Sequence, residues 1–315
     1  MADVIKKATR EAYGDALVEV AQDYPTLVVL DADLAGATKT GNFKKAYPDR
    51  FFDCGIAEGN MMSLAAGIAA AGRPVFASSF AMFAAGRAYE QVRNAIGYTH
   101  LNVKIGATHA GITVGEDGAT HQCLEDVALM RAIPGMTVIC PADATETKLA
   151  VRAALEMNGP VYLRLGRYAV PVLFDENYKF EIGKGVQMRE GTDVTLIGSG
   201  LTVSECLNAA ELLAAEGISA RVINMATIKP IDRDIIIRAA KETGAIVTAE
   251  DHSIVGGLGG AVAEVVTETV PVPVVRVGLN DVFGKSGPAG ELVKLYGLDG
   301  AGIAEKAKQA IALKK

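Results

Sequence analysis

Two doubly wound α/β domains, a larger one on a parallel sheet followed by a smaller one, are the architecture this sequence predicts. Short strand-like runs without polar alternation are each followed by a helical run, the pattern of a parallel sheet covered on both faces. The alternation lapses once, over residues 167–192, and then restarts. At ~100–200 residues per domain, a chain of 315 residues has room for two cores.

Val4, Ile5, Ala8, Ala12, Ala16, Leu17 and Val20 recur at three- and four-residue steps, predicting an amphipathic helix over residues 4–20. The strand LVVLD comes next. RFFDCGI, PVFASSF, NVKIGA, MTVICPA and PVYLRLG then read as strands, and NMMSLAAGIAAAG, RAYEQVRNAIG, EDVALMRAI and TETKLAVRAALE as helices. The first domain is placed at residues 1–175. Two turn-forming clusters and no long helix make residues 167–192 a linker. DVTLIGSG, ARVINM, AIVTAE and VPVVRVG are the strands of the second domain, at 190–315, which closes with helical runs around GELVKLYG and AGIAEKAKQAIA.

Charge narrows the partners. The 31 basic and 37 acidic side chains leave a net charge of −6 without basic blocks, which argues against nucleic acid and membrane surfaces. The longest uncharged stretch falls short of the ~18 apolar residues of a bilayer span, and the first twenty residues lack the apolar run of a secretory signal. Cys54, Cys123, Cys140 and Cys206 are scattered singly, so reduced thiols in a cytoplasmic protein are expected.

Ligands of open α/β sheets bind beyond the carboxyl ends of the strands. Glu58 follows one strand, Phe80 and Phe83 another, and Arg167 a third. The loop THAGITVGEDGATHQ brings His109, Glu116, Asp117 and His121 together, two of them among the chain's only four histidines. Such a loop could transfer protons or hold a metal. Glu58 equally suits a helix N-terminus, Phe80 and Phe83 suit a core, and Arg10 and Arg167 suit a solvated surface. GSG after DVTLI is a weak phosphate-loop hint.

The passages ATR (8–10), DADLAG (31–36), RFFDCGIAEGNM (50–61), the THAGITVGEDGATHQ loop, MRAIPGMTVICPAD (130–143) and AEDHSIVGGLG (249–259) resemble the C-terminal half of transketolase across both domains. The resemblance implies a pyrimidine-binding domain followed by the family's C-terminal domain. The family's GDG motif with its following Asn, which binds Mg²⁺ and the diphosphate of thiamine diphosphate, is not found here. A separate N-terminal transketolase subunit is therefore implied, holding most of the cofactor and its Mg²⁺, with the active site between the two chains in an α₂β₂ heterotetramer.

By the same resemblance, Glu58 matches the acid beside N1′ of the aminopyrimidine, and burial is expected to raise its pKa. Phe80 and Phe83 match the aromatic pair around that ring. His109 and His121 match residues on the donor sugar's hydroxyl and carbonyl region, and Asp117 the group that reads the acceptor's C2 hydroxyl. Arg10 and Arg167 match phosphate-binding arginines, and Asp33, within DADLAG, is assigned to the substrate. The implied activity is transfer of a two-carbon ketol unit from a ketose phosphate to an aldose phosphate. Three positions depart from the family: Gly59 replaces a Gln or His, Gly86 a third aromatic, and Ala37 a phosphate-contacting Ser, a loss that Thr38 or Lys39 is placed to offset. Other thiamine diphosphate enzymes of this architecture, including one like deoxyxylulose phosphate synthase, and a non-catalytic partner subunit are the alternatives.

Overall fold

The computed structural model describes residues 5–314. Its strands are β1 (Lys6–Ala8), β2 (Val28–Asp31), β3 (Phe51–Asp53), β4 (Val75–Phe80), β5 (Val103–Thr108), β6 (Thr137–Ile139), β7 (Val161–Arg164) and β8 (Ala169–Pro171), then β9 (Val186–Arg189), β10 (Val194–Gly198), β11 (Ala220–Asn224), β12 (Thr227–Lys229), β13 (Ile246–Ser253) and β14 (Val274–Leu279). The larger sheet has the order β12-β6-β7-β5-β4-β2-β3 and the smaller β14-β13-β10-β11-β9. Neighbours run parallel except at one edge of each sheet, where β12 pairs antiparallel with β6 and β9 with β11. The α/β class and the two domains read from the sequence are what the chain adopts.

The central strands show why they are central. Every residue of β4 (VFASSF) and β5 (VKIGAT) is buried, and a strand covered on both faces has no use for polar alternation. On one side the helix Thr9–Val20 turns Tyr13, Leu17 and Val20 toward Phe76 and Leu163. On the other, Met61, Met62, Ala65 and Ala66 of the helix Glu58–Ala70 pack on β2, β4 and β5.

Three local differences from the sequence reading have physical causes. The first helix starts at Thr9, because residues 6–8 form β1 against β8; apolar spacing cannot register that distant pairing. Val4 lies outside the described residues. Residues 167–192 hold no helix, as read, but contribute β8 and β9. The run after PVFASSF is not an ordinary α-helix: wide i→i+5 turns at Met82–Arg87 and Val92–Tyr98 flank the short α-helical piece Tyr89–Gln91.

The two domains share a core. Ile228 of β12 is 2% exposed and belongs to one buried cluster with Met130 and Val138 of the first domain and Ile236 and Val262 of the second. Truncating it leaves a cavity in that shared layer. Ile228→Ala is expected to destabilise the chain by about 2–5 kcal/mol, read as a lower midpoint in equilibrium urea denaturation.

Candidate active site

The carboxyl ends of β2, β3, β4, β5 and β7 deliver most of the candidate residues to one end of the larger sheet. Glu58 begins its helix and is 1% exposed. Phe80 ends β4, and the wide turn after it carries Phe83 and Arg87. Such turns are rare and recur at functional sites. His109 follows β5 and Arg167 follows β7, while Arg10 lies in the first turn of its helix.

Four of these side chains form an aromatic wall. Phe80 and Phe83 stack with ring centroids 5.9 Å apart, and His109 stacks on Phe80 at 3.8 Å. His121 meets Phe83 edge-on at 5.4 Å and Phe80 at 6.3 Å. The Glu58 carboxylate does not stand alone beside them. Arg87 donates from Nη1 to both its oxygens, at 3.1 and 2.9 Å, and lays its guanidinium 4.5 Å from the Phe83 ring centre. A cavity of about 640 Å³ opens beside Phe83, Arg87 and Thr120, and Phe283 of the second domain forms its far wall.

The histidine loop is held from the second domain. Asp251, at the end of β13, accepts from the Ile112 amide and from the Thr113 hydroxyl, each at 2.9 Å. Gly111 has φ +77°, and a Cβ there would strike the Asp251 carboxylate, so only glycine suits the position. Gln122 donates to the carbonyls of Ile112 and Lys285. His109 itself has φ +55°, a region that costs a non-glycine residue energy and persists where the surroundings impose it.

Electrostatics set the state of His109. Burial, followed by the positive charges of Arg10 and Arg167 and then by His121 and Lys39, pushes its pKa down to about 3. The ring is therefore neutral near pH 7. Its Nε2 lies 3.3 Å from Arg10 Nη1, and its Nδ1 2.9 Å from the Thr108 hydroxyl. With Arg10 supplying the N–H, Nε2 accepts and Nδ1 carries the proton.

The remaining residues are placed as follows. Arg167 donates to the Val114 carbonyl and to Glu116 at 3.2 Å, with Asp117 4.0 Å away. Asp33 is exposed in the turn after β2, with φ +62° and its amide on Asp53; among the described residues it has no hydrogen bond to either histidine. Thr38 is buried and donates to Asp31 at 2.7 Å, so it is turned away from the mouth. The GSG turn is not a phosphate loop: the Ser199 amide donates to Ala249 and the Gly200 amide to Cys140. Among the described residues, no group of three or more His, Cys, Asp or Glu is placed to hold a metal ion. Cys123, Cys140 and Cys206 are buried free thiols and Cys54 is partly exposed. Sequence reasoning missed Arg87 and Asp251. An arginine on a helix and an acid in a strand carry no signal until the fold places them.

Fold and site together define a two-domain α/β protein with a buried acid, a stacked aromatic pair and cationic groups around a neutral imidazole. The chain belongs to the transketolase family: residues 5–172 match the transketolase pyrimidine-binding domain and residues 183–303 the transketolase C-terminal domain. That family consists of thiamine diphosphate-dependent transferases. A Methanocaldococcus jannaschii protein, provisionally named a transketolase C-terminal section, is 53% identical over 96% of both chains. A Clostridium sp. 6-deoxy-6-sulfo-D-fructose transketolase subunit is 44% identical over 95% of this chain and 93% of its own. The solved "Split gene transketolase, inactive beta4 tetramer" is 54% identical and superposes with a TM-score of 0.92 over 98% of this chain and 99% of that one. Against human transketolase, 39% identical, 97% of this chain spans only 49% of the longer protein.

Because its folded pKa lies below the unfolded value, His109 takes up no proton between about pH 6.5 and 3 while the unfolded chain does. Native stability from this group therefore falls as pH drops through that window and is unaffected above it. NMR titration of the imidazole is expected to show His109 neutral at pH 5.

Proposed function

We propose that this chain is the C-terminal subunit of a thiamine diphosphate-dependent transketolase. Together with a separate N-terminal subunit, it transfers a two-carbon ketol unit from a ketose phosphate to an aldose phosphate. One observation carries the reading: the buried Glu58 carboxylate, paired with Arg87, and the neutral His109 flank the Phe80–Phe83 stack.

The donor set suits the pyrimidine half of the cofactor. A flat heteroaromatic ring wants apolar faces and an acid at its basic nitrogen, and Phe80, Phe83 and Glu58 are of those kinds. When bound, the cofactor supplies a carbon nucleophile that the protein's side chains lack. Glu58 would hold a proton at the ring nitrogen, while the aromatic pair excludes water from it. His109 and His121 would orient the donor sugar through its hydroxyls, and Asp117 the acceptor's C2 hydroxyl. Arg10 and Arg167 would grip the sugar phosphates, with Asp33 at the same mouth. Mg²⁺ and the diphosphate would be held mainly by the N-terminal subunit. The share of human transketolase that this chain spans supports such a partner, as does the split-gene description of its solved relative, and an α₂β₂ heterotetramer is the assembly we infer. Free, mostly buried cysteines fit a cytoplasmic setting. No helix among the described residues is long and apolar enough to cross a membrane.

A second reading keeps the chemistry and changes the sugar. Two relatives are named for 6-deoxy-6-sulfo-D-fructose and for apulose 4-phosphate, so an unusual anionic ketose is the alternative substrate.

Reconstitution with a candidate N-terminal subunit tests the proposal. Glu58→Ala is expected to lower ketol transfer by about 10²-fold or more while subunit assembly, followed by analytical ultracentrifugation, is retained. Wild-type rates would remove Glu58 from the cofactor role, and ketol transfer by the purified chain alone would end the split-site idea. Arg167→Ala should raise KM for phosphorylated sugars well above its effect on free sugars; an equal rise for both would place the phosphate elsewhere.

A further inference from the structure

Glu58 opens the helix Glu58–Ala70 with its side chain 1% exposed. Among the described residues, Arg87 is the sole hydrogen-bond donor to its carboxylate, and Nη1 bridges both oxygens at 3.1 and 2.9 Å. The acid is buried while its partner is half exposed, so the open approach to the carboxylate runs past the guanidinium. Whatever else is to bond those oxygens meets Arg87 first.

Arg87 is held lightly for a group in that position. Its Nε and Nη2 form no hydrogen bond among the described residues, and its guanidinium otherwise rests on the Phe83 ring at 4.5 Å from the centre. It closes the wide turn Met82–Arg87, a geometry that recurs where function needs it. The cavity of about 640 Å³ opens beside it, and Glu125 and Asp281, both exposed, line that cavity too. A guanidinium leaving Glu58 thus has room and other carboxylates to face.

Two demands fall on one pair of oxygens. An acid that holds a proton at a ring nitrogen must have that nitrogen within hydrogen-bond reach. A guanidinium stays charged and accepts nothing, so Arg87 cannot pass the proton on, and while it bridges both oxygens it stands where the ring nitrogen would come. We propose that Arg87 is a positioning residue that guards Glu58, pairing with the carboxylate and swinging into the cavity when an aminopyrimidine ring engages the acid. The proposal rests on the transketolase reading for the identity of the ring, but the competition for the carboxylate does not. The guard keeps a buried charge from standing alone, and weaker ring binding is its cost.

The test begins with the isolated full chain, titrated with 4-amino-2-methylpyrimidine, the ring alone, with the Arg87 guanidinium NMR signals as reporter. In the wild type these signals should move to those of a free arginine as the ring saturates. Signals unmoved at saturation, or no binding of the ring, overturn the guard without any variant. Arg87→Met keeps an apolar stem beside Phe83 and removes the competitor, so ring affinity should rise about tenfold, the scale of one charged hydrogen bond. Arg87→Lys keeps a cation and should bring affinity back toward the wild-type level. A structural role would weaken binding in both variants, so affinity at or below wild type in Arg87→Met, with its fold checked by circular dichroism, overturns the proposal. In the reconstituted complex, calorimetry should give Arg87→Met an about tenfold lower Kd for thiamine diphosphate; an unchanged or higher Kd overturns the guard. Ring binding as expected with no ketol transfer to any sugar would keep the guard and remove the transketolase reading.

Discussion

The guanidinium of Arg164, at the end of β7, ties the site to both domains. Its Nε donates to both oxygens of Asp126, and its Nη2 donates to the carbonyls of Cys123 and Asp251. A charge buried this deeply is tolerated only when paired and fully hydrogen-bonded, and removing one partner of such a pair costs about 3–5 kcal/mol. Here the bonds span the first domain's sheet, the end of the histidine loop and the end of β13. Asp251 is in turn the acid that pins the start of that loop through Ile112 and Thr113. The second domain thus shapes the cleft without supplying the residues that line its aromatic wall.

That constraint accounts for the strained imidazole. His109 stays at positive φ because Phe80 covers its face, Arg10 and Thr108 occupy its two nitrogens, and Asp251 anchors the chain three residues on. The same enclosure strips it of water among cations and leaves it neutral. A neutral imidazole beside the guanidinium adds no charge to the positive rim, whereas a protonated one would repel Arg10. On the other side of the aromatic pair, Arg87 gives the buried Glu58 carboxylate its counter-charge. The stacked rings thus have the Glu58–Arg87 pair against Phe83, and His109 with Arg10 against Phe80.

The architecture was legible because it rests on local pattern. Apolar runs buried on both faces declare parallel strands, and a loop dense in histidine and acid declares chemistry. Where the reading failed, a distant partner decided the matter: β1 exists through β8, and β12 leaves its own domain to close the other's sheet. At the site, Thr38 and Lys39 stood level on paper as replacements for a lost serine. The fold separates them, turning the threonine inward onto Asp31 and packing the lysine backbone against Gly14 of the first helix.

The sequence by itself determined the class of fold, the family likeness and the residue types that converge on the carboxyl ends of the strands, since each follows from neighbours along the chain. Tertiary structure alone decided the Glu58–Arg87 pair, the anchoring of the histidine loop by Asp251 and the charge state of His109. These depend on desolvation and on distances between groups far apart in sequence, and both arise only once the chain has packed.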